Sequence, residues 1–214
     1  MKVEIWSDVV CPFCYIGKRE FEKALLQFEH RAEVEIIWKS FELDPNAPVN
    51  NDKDLYDLLS AKYGRSREET LTNVRSVVER ADSVGLAFEM DRAIATNSFD
   101  AHRLLQYAKS IGKGDAMKER LLKAYFMEGA HIGDHEQLLD LALEIGIDRE
   151  TVMDLLASAA FTEEVRNDET EAQQLGIRGV PFFVVDRRYG ISGAQSNEHF
   201  AEVLNKAWEE RVPN

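Results

Sequence analysis

Residues 8–18 read DVVCPFCYIGK. Two cysteines stand three positions apart, and the proline after the first suits the opening turn of a helix, where a missing N–H is tolerated. Cys11 therefore falls just before a helix and Cys14 one turn inside it. A helix N-terminus offers unpaired backbone N–H groups and roughly half a positive charge. The thiolate is the nucleophile in disulfide exchange, and a free thiol titrates near about 8.5, so this placement predicts a lowered pKa for Cys11. Cys14, shielded within the helix, is placed to attack the Cys11 sulfur once that sulfur is joined to a substrate.

These are the only two cysteines in 214 residues. A structural bridge between them would close a loop of about four residues and contribute about 2 kcal/mol, against about 4.7 for a loop of about a hundred. Stability is a poor reason for the pair; chemistry is a better one. C-x-x-C is also half of a four-ligand zinc site, but the other half is missing. No further cysteine exists, and His131 and His135 are separated by Gly133 and Asp134. No metal is expected, and no other cofactor.

Working outward, KVEIWS (2–7) alternates, with Val3 and Ile5 on one face, and reads as a strand. Gly17, Phe21, Ala24, Leu25 and Phe28 follow helical spacing to about residue 29, and 33–41 returns to strand character. The middle differs. Residues 51–63 form a helical pattern stopped by Gly64, and Ser66 with Glu69 is a capping box opening the next helix. Further helical patterns run at about 98–111, 115–128, 135–145 and 149–158. Then comes a helix over 162–175, a β-rich run VPFFVV (180–185), a turn over 186–189, a short strand over 190–193 and a helix capped by Ser196. An all-helical block thus interrupts one α/β domain, with the divided part at 1–44 and 160–214 and the insertion at 45–159.

The charge balance is 26 basic against 39 acidic side chains, a net −13. Such a surface repels phosphate backbones, which argues against nucleic acid and anionic membranes as partners. No stretch approaches the roughly 20 apolar residues of a membrane span. The first ten residues, MKVEIWSDVV, lack the pattern of a secretory leader, so the expected location is the cytoplasm. Pro181 is a second notable feature. A proline in an apolar β-prone run either begins the strand at an edge or takes the cis form, and the residues alone leave both open.

With CPFCYIGK (11–18), NSFDAHRL (97–104) and GVPFFVVDRRYGISGAQ (179–195) in view, the chain resembles the DsbA family of the thioredoxin superfamily, particularly its FrnE-like branch. The resemblance implies a thioredoxin-like domain carrying a large all-helical insertion. It implies that Cys11 attacks, Cys14 resolves, and a cis Val180-Pro181 loop faces them across the site. It also implies thiol–disulfide oxidoreductase or isomerase activity on disulfide- or thiol-containing proteins or small molecules, glutathione among them.

Related glutathione-dependent isomerases acting on hydroxychromene carboxylates have serine where this chain has Cys11, and that activity is the enzymatic alternative. A non-redox peptide-binding module is the other. Phe13 stands where periplasmic relatives often carry histidine, which implies a milder oxidant. Many thioredoxins bury an acid six residues before the first cysteine; here that residue is Ile5, and Lys39 is a conceivable substitute proton acceptor. Phe13, Val180, Asn97 and Phe99 are candidate substrate contacts, with Tyr15 and Phe126 as further aromatic wall. Ser98 and His102 belong to the same stretch as Asn97. An N-cap role for Asn97 or Ser98 and a packing role for His102 are the plainer alternatives.

Overall fold

The computed structural model describes residues 1–211. Strand β1 (Lys2–Ser7) leads into helix α1 (Pro12–Gln27), and β2 (Glu35–Ser40) returns parallel to β1. Six helices follow: α2 (Leu55–Tyr63), α3 (Arg67–Asp82), α4 (Phe99–Ser110), α5 (Gly114–Lys123), α6 (His135–Glu144) and α7 (Arg149–Ala157). The chain closes with α8 (Thr162–Gln174), β3 (Phe182–Val185), β4 (Tyr189–Ser192) and α9 (Asn197–Glu209). The sheet order is β2-β1-β3-β4, with β3 antiparallel to both β1 and β4. This is a thioredoxin-like α/β core with an extensive helical insertion, as the sequence predicts.

Alternation along the strands sorts the two faces of the sheet. Val3 pairs with Val185 and Ile5 with Phe183. This face meets α1 and α9, where the rings of Phe21, Phe183 and Phe200 lie 4.6 to 5.7 Å apart, centroid to centroid. Trp6 and Val184 point the other way and bury against Ala172 of α8 and Ile177. The Trp6 indole N–H finds the Asp168 carbonyl at 2.8 Å, so the ring is buried without an orphaned donor.

Local signals end the helices where the residues suggest. Gly64 adopts φ +63° at the end of α2, and Ser66 and Glu69 form the reciprocal capping box of α3. The pattern read as one helix over 115–128 is divided. Helix α5 stops at Lys123, and a π-helical turn (Ala124–Glu128) ends at Gly129, φ +70°.

Polar clamps fix the insertion to the sheet. The Asp168 carboxylate accepts from Ser40 N and Lys39 Nζ, both at 2.9 Å, and from Gln106 of α4. Gln106 also donates to Ser40 Oγ at 2.8 Å. On the other side, Lys18 of α1, almost wholly buried, pairs with Glu119 of α5 at 2.9 Å and with Glu22. These pairs set the axis of α5 against the first turns of α1.

Candidate active site

Cys11 is the hinge between extended and helical backbone, at φ −95° and ψ 114°, and no side chain caps the helix it opens. Its carbonyl accepts from Cys14 N at 3.0 Å, which draws the two residues into one tight turn. Both cysteines are free and buried. Cys11 Sγ lies 3.5 Å from the Val180 carbonyl oxygen, to which its thiol donates. The Val180–Pro181 bond is cis. Pro181 lies against α1: a Cβ placed on Gly17 would come within 3.0 Å of Pro181 Cγ. The Pro181 carbonyl accepts from Gly193 N at 2.8 Å, tying this loop to the end of β4.

Three buried polar groups, Asp8, His102 and Lys118, lie close to the cysteines. Asp8 and His102 are wholly buried, with Asp8 Oδ1 3.2 Å from His102 Nε2. Asp8 also accepts from Leu43 N at 2.7 Å. Burial alone would raise its carboxyl, but the His102 contact, the Leu43 N–H and the Lys118 charge outweigh it and hold the group below the usual carboxylate range. His102 Nδ1 has no partner among the described residues. The third group, Lys118 of α5, has no exposed surface; its one hydrogen bond runs to the Ser7 carbonyl at 3.3 Å, and its ammonium sits 5.5 Å from the Trp38 ring centroid. Burial pulls Lys118 down to about 8, against the opposing pull of Cys14, Asp8 and Cys11.

The thiols titrate as one unit. The hydrogen bond with Cys14, added to burial, pushes Cys11 well above an ordinary thiol. Burial works to raise Cys14 too, but the Cys11 S–H and the Lys118 ammonium bring it below the ordinary value. The helix terminus predicts the anion at Cys11. The hydrogen bond between the two sulfurs explains the difference first, and the charge of Lys118 adds to it at the inner sulfur.

Cys11 lines a cleft of about 760 Å³, and Cys14 does not. Phe13, Val180, Phe126 and Ser98 line it. Phe13 is 37% exposed and carries the Arg80 guanidinium 5.6 Å from its ring centroid.

Asn97 and Phe99, expected as substrate contacts, are absent from the lining and hold structure elsewhere. The Asn97 side chain caps Phe99 N at 2.8 Å and donates to the Ala47 carbonyl at 3.0 Å, which pins the loop before α2. Phe99 lies beneath the Arg166 guanidinium, 4.3 Å away. Tyr15 is buried and donates to Glu119 at 2.7 Å. Lys39 is held by the Asp168 and Glu171 carboxylates, each at 2.9 Å, and does not line the cleft. His131 contacts the Val49 carbonyl and Thr96, whereas His135 pairs with Asp100, so the two histidines hold separate partners.

Sequence reasoning missed Asp8 and Lys118. A signal for Lys118 was present: it shares a stripe with Met117, Leu121 and Leu122, where an apolar residue is the rule.

The DSBA-like thioredoxin domain profile matches residues 2–205. The chain is 44% identical to a probable DsbA oxidoreductase from Streptomyces coelicolor of known crystal structure, covering 100% of this chain and 92% of that one at a TM-score of 0.95. Uncharacterized protein YwbO of Bacillus subtilis is 27% identical over 95% of each chain. The cytosolic disulfide reductase DsbM of Pseudomonas aeruginosa, solved with GSH, shares the fold at a TM-score of 0.69 and 16% identity, covering 98% of this chain and 100% of that one.

Proposed function

The chain belongs to the family of DSBA-like thioredoxin domains, and from that premise we propose that it is a cytoplasmic dithiol–disulfide oxidoreductase that reduces or isomerises disulfides through Cys11 and Cys14. The observation that carries this reading is the unequal placement of two coupled thiols, Cys11 on the cleft wall and Cys14 walled off behind it. The motifs at 97–104 and 179–195 support assignment to the FrnE-like branch. A reducing compartment suits a chain whose two cysteines serve chemistry and no structural bridge.

The cycle starts with one proton shared between the two sulfurs. Passing that proton from Cys11 to Cys14 delivers a thiolate to the cleft. Cys11 then attacks a disulfide RS–SR′, forming Cys11–S–SR and expelling R′S⁻, which takes up a proton. Cys14, deprotonated beside Lys118, attacks Cys11 Sγ and expels RS⁻. The protein is oxidised by two electrons and the substrate reduced by two. Two equivalents of a small thiol such as glutathione restore the dithiol. Val180 and Pro181 form the wall opposite Cys11 and hold its sulfur in line, and Phe13 borders the entrance. Lys118 is a positioning residue in this scheme, stabilising the Cys14 anion through space.

The test is reduction of hydroxyethyl disulfide by glutathione, coupled to NADPH through glutathione reductase. Turnover is expected with the native chain and loss to the uncatalysed rate with Cys11→Ser. Equal rates for native and Cys11→Ser would overturn the assignment.

A further inference from the structure

The cleft is larger than disulfide exchange requires. The thioredoxin-like core contributes Asp8, residues 10–13, Leu43, Asp44 and Val180 to the lining, and the rest of the wall belongs to the insertion. Helix α2 presents Leu55, Leu58 and Leu59 to the cleft, and none of its residues is fully buried. Val74 and Val77 of α3 and Phe126 of the π-helical turn complete the apolar lining. Leu55, Leu58 and Leu59 are half-buried: Leu55 and Leu59 pack against the core on one side, and the side turned to the cleft stays open. Covering that open side is favourable at about 25 cal/mol per Å².

Charge at the cleft departs from that of the molecule. Lys62 and Arg65 line it, are exposed, and make no ion pair among the described residues; Asp44 is the one exposed acid in the lining. On a chain of net charge −13, two unpaired cations at the cleft rim, against Asp44 there and Asp8 wholly buried beside His102, make that rim a local site for an anion.

We infer that the substrate of this site is a low-molecular-mass disulfide with a bulky apolar body and a carboxylate. This rests on the redox reading above and narrows its substrate class. The volume, about 760 Å³, lies within the range of small-molecule sites, roughly 300–1,000 Å³. A polypeptide segment would bring a backbone N–H and C=O at every residue, and a mostly apolar wall, with Asn51, Thr70, Asn73, Thr96 and Ser98 among its few neutral polar side chains, would leave most of them without partners. Glutathione disulfide, with four carboxylates, two ammonium groups and several amides, fits such a wall poorly for the same reason. An aromatic or branched aliphatic body against α2 and α3, its carboxylate towards Lys62 and Arg65, and its sulfur at Cys11 satisfies all three features. Electrons and atoms balance as above: the bound disulfide takes two electrons and one proton from the cysteine pair, the second thiolate takes its proton from solvent, and the substrate leaves as two thiols.

Two measurements test this on the full chain. The first is turnover of 4,4′-dithiodibenzoate, which has the proposed chemistry, against hydroxyethyl disulfide and insulin. Comparing each variant with the native chain cancels intrinsic leaving-group reactivity. The native preference in kcat/KM for dithiodibenzoate over hydroxyethyl disulfide should fall about tenfold in Lys62→Glu/Arg65→Glu and in Leu59→Trp, mainly through KM. The double variant alters exposed side chains only and guards against a folding defect in the other. The second is fluorescence titration with 8-anilinonaphthalene-1-sulfonate, an apolar anion with no disulfide. One molecule per chain should bind, more weakly in the double variant.

An unchanged preference in both variants, or insulin showing the lower KM and the same sensitivity to them, would overturn the inference and leave the redox reading standing. Absence of turnover on every disulfide, with the naphthalene anion still bound and released by the double variant, would take down the redox reading and leave the ligand chemistry of the cleft intact.

Discussion

Lys118 holds the site's charge at a cost to the fold. Its ammonium has no exposed surface and one hydrogen bond of 3.3 Å, so it is poorly solvated by the protein. Burial lowers its pKa from 10.5 to about 8. Below pH about 8 both folded and unfolded chains hold the proton, and the full penalty, about 3 kcal/mol, is present. As pH rises towards about 10.5 the folded state gives up the proton first and the penalty disappears. Lys118→Met is therefore expected to be more stable than the native chain at pH 7, by up to about 3 kcal/mol, with the gain vanishing near pH 10. Urea unfolding at the two pH values reads this directly. The same variant should turn over more slowly at pH 7, its pH–rate profile displaced upward, because the Cys14 anion loses its cation. A variant less stable at pH 7, with an unmoved profile, would make Lys118 an ordinary packing residue. The sequence marks this residue only by its place on an apolar stripe; the Ser7 contact arises from the meeting of α5 with the end of β1, which no local pattern records.

At the scale of elements, α1 must approach the loop before β3 closely enough to bring Cys11 against Val180. Gly17 permits this: a Cβ there meets Pro181 Cγ at 3.0 Å and the Ala194 backbone at 3.4 Å. In an unconstrained helix Gly→Ala gains about 1 kcal/mol. Here that gain is expected to be cancelled, and Gly17→Val should lose about 2 kcal/mol and most turnover as Pro181 is driven from α1. Denaturant midpoints and turnover of hydroxyethyl disulfide check both, and a Gly17→Val chain as stable and active as the native one would refute the contact.

Elements with local punctuation were legible from the residues: the capping box of α3, the Gly64 stop of α2, the Ser196 cap of α9. The π-helical turn was not, because Ala124–Glu128 keeps a helical composition while its hydrogen bonding changes. Asn97 and Phe99 were misplaced for a related reason. A residue at a helix start can turn towards the cleft or towards its own loop, and Asn97 caps Phe99 N and ties Ala47 instead.

At the scale of the molecule, the thioredoxin-like core supplies the two sulfurs and Val180, and the helical insertion supplies His102, Lys118 and most of the cleft. The opening strand–helix–strand and the C-x-x-C helix follow from alternation and spacing, and the thioredoxin-like architecture from family resemblance. The buried polar groups and the apolar cleft depend on where distant segments meet, so only their chemistry, and not their place, stands in the sequence. The central claim is that Cys11 attacks and Cys14 resolves. It is tested most directly by the mass of the covalent adduct left when each cysteine is removed in turn and the chain is given hydroxyethyl disulfide. Cys14→Ala should retain one half of the disulfide, mapped by peptide digestion to Cys11, and Cys11→Ala should retain none. A stable adduct on Cys14 of the Cys11→Ala chain, with none on Cys11 of the Cys14→Ala chain, would contradict the account.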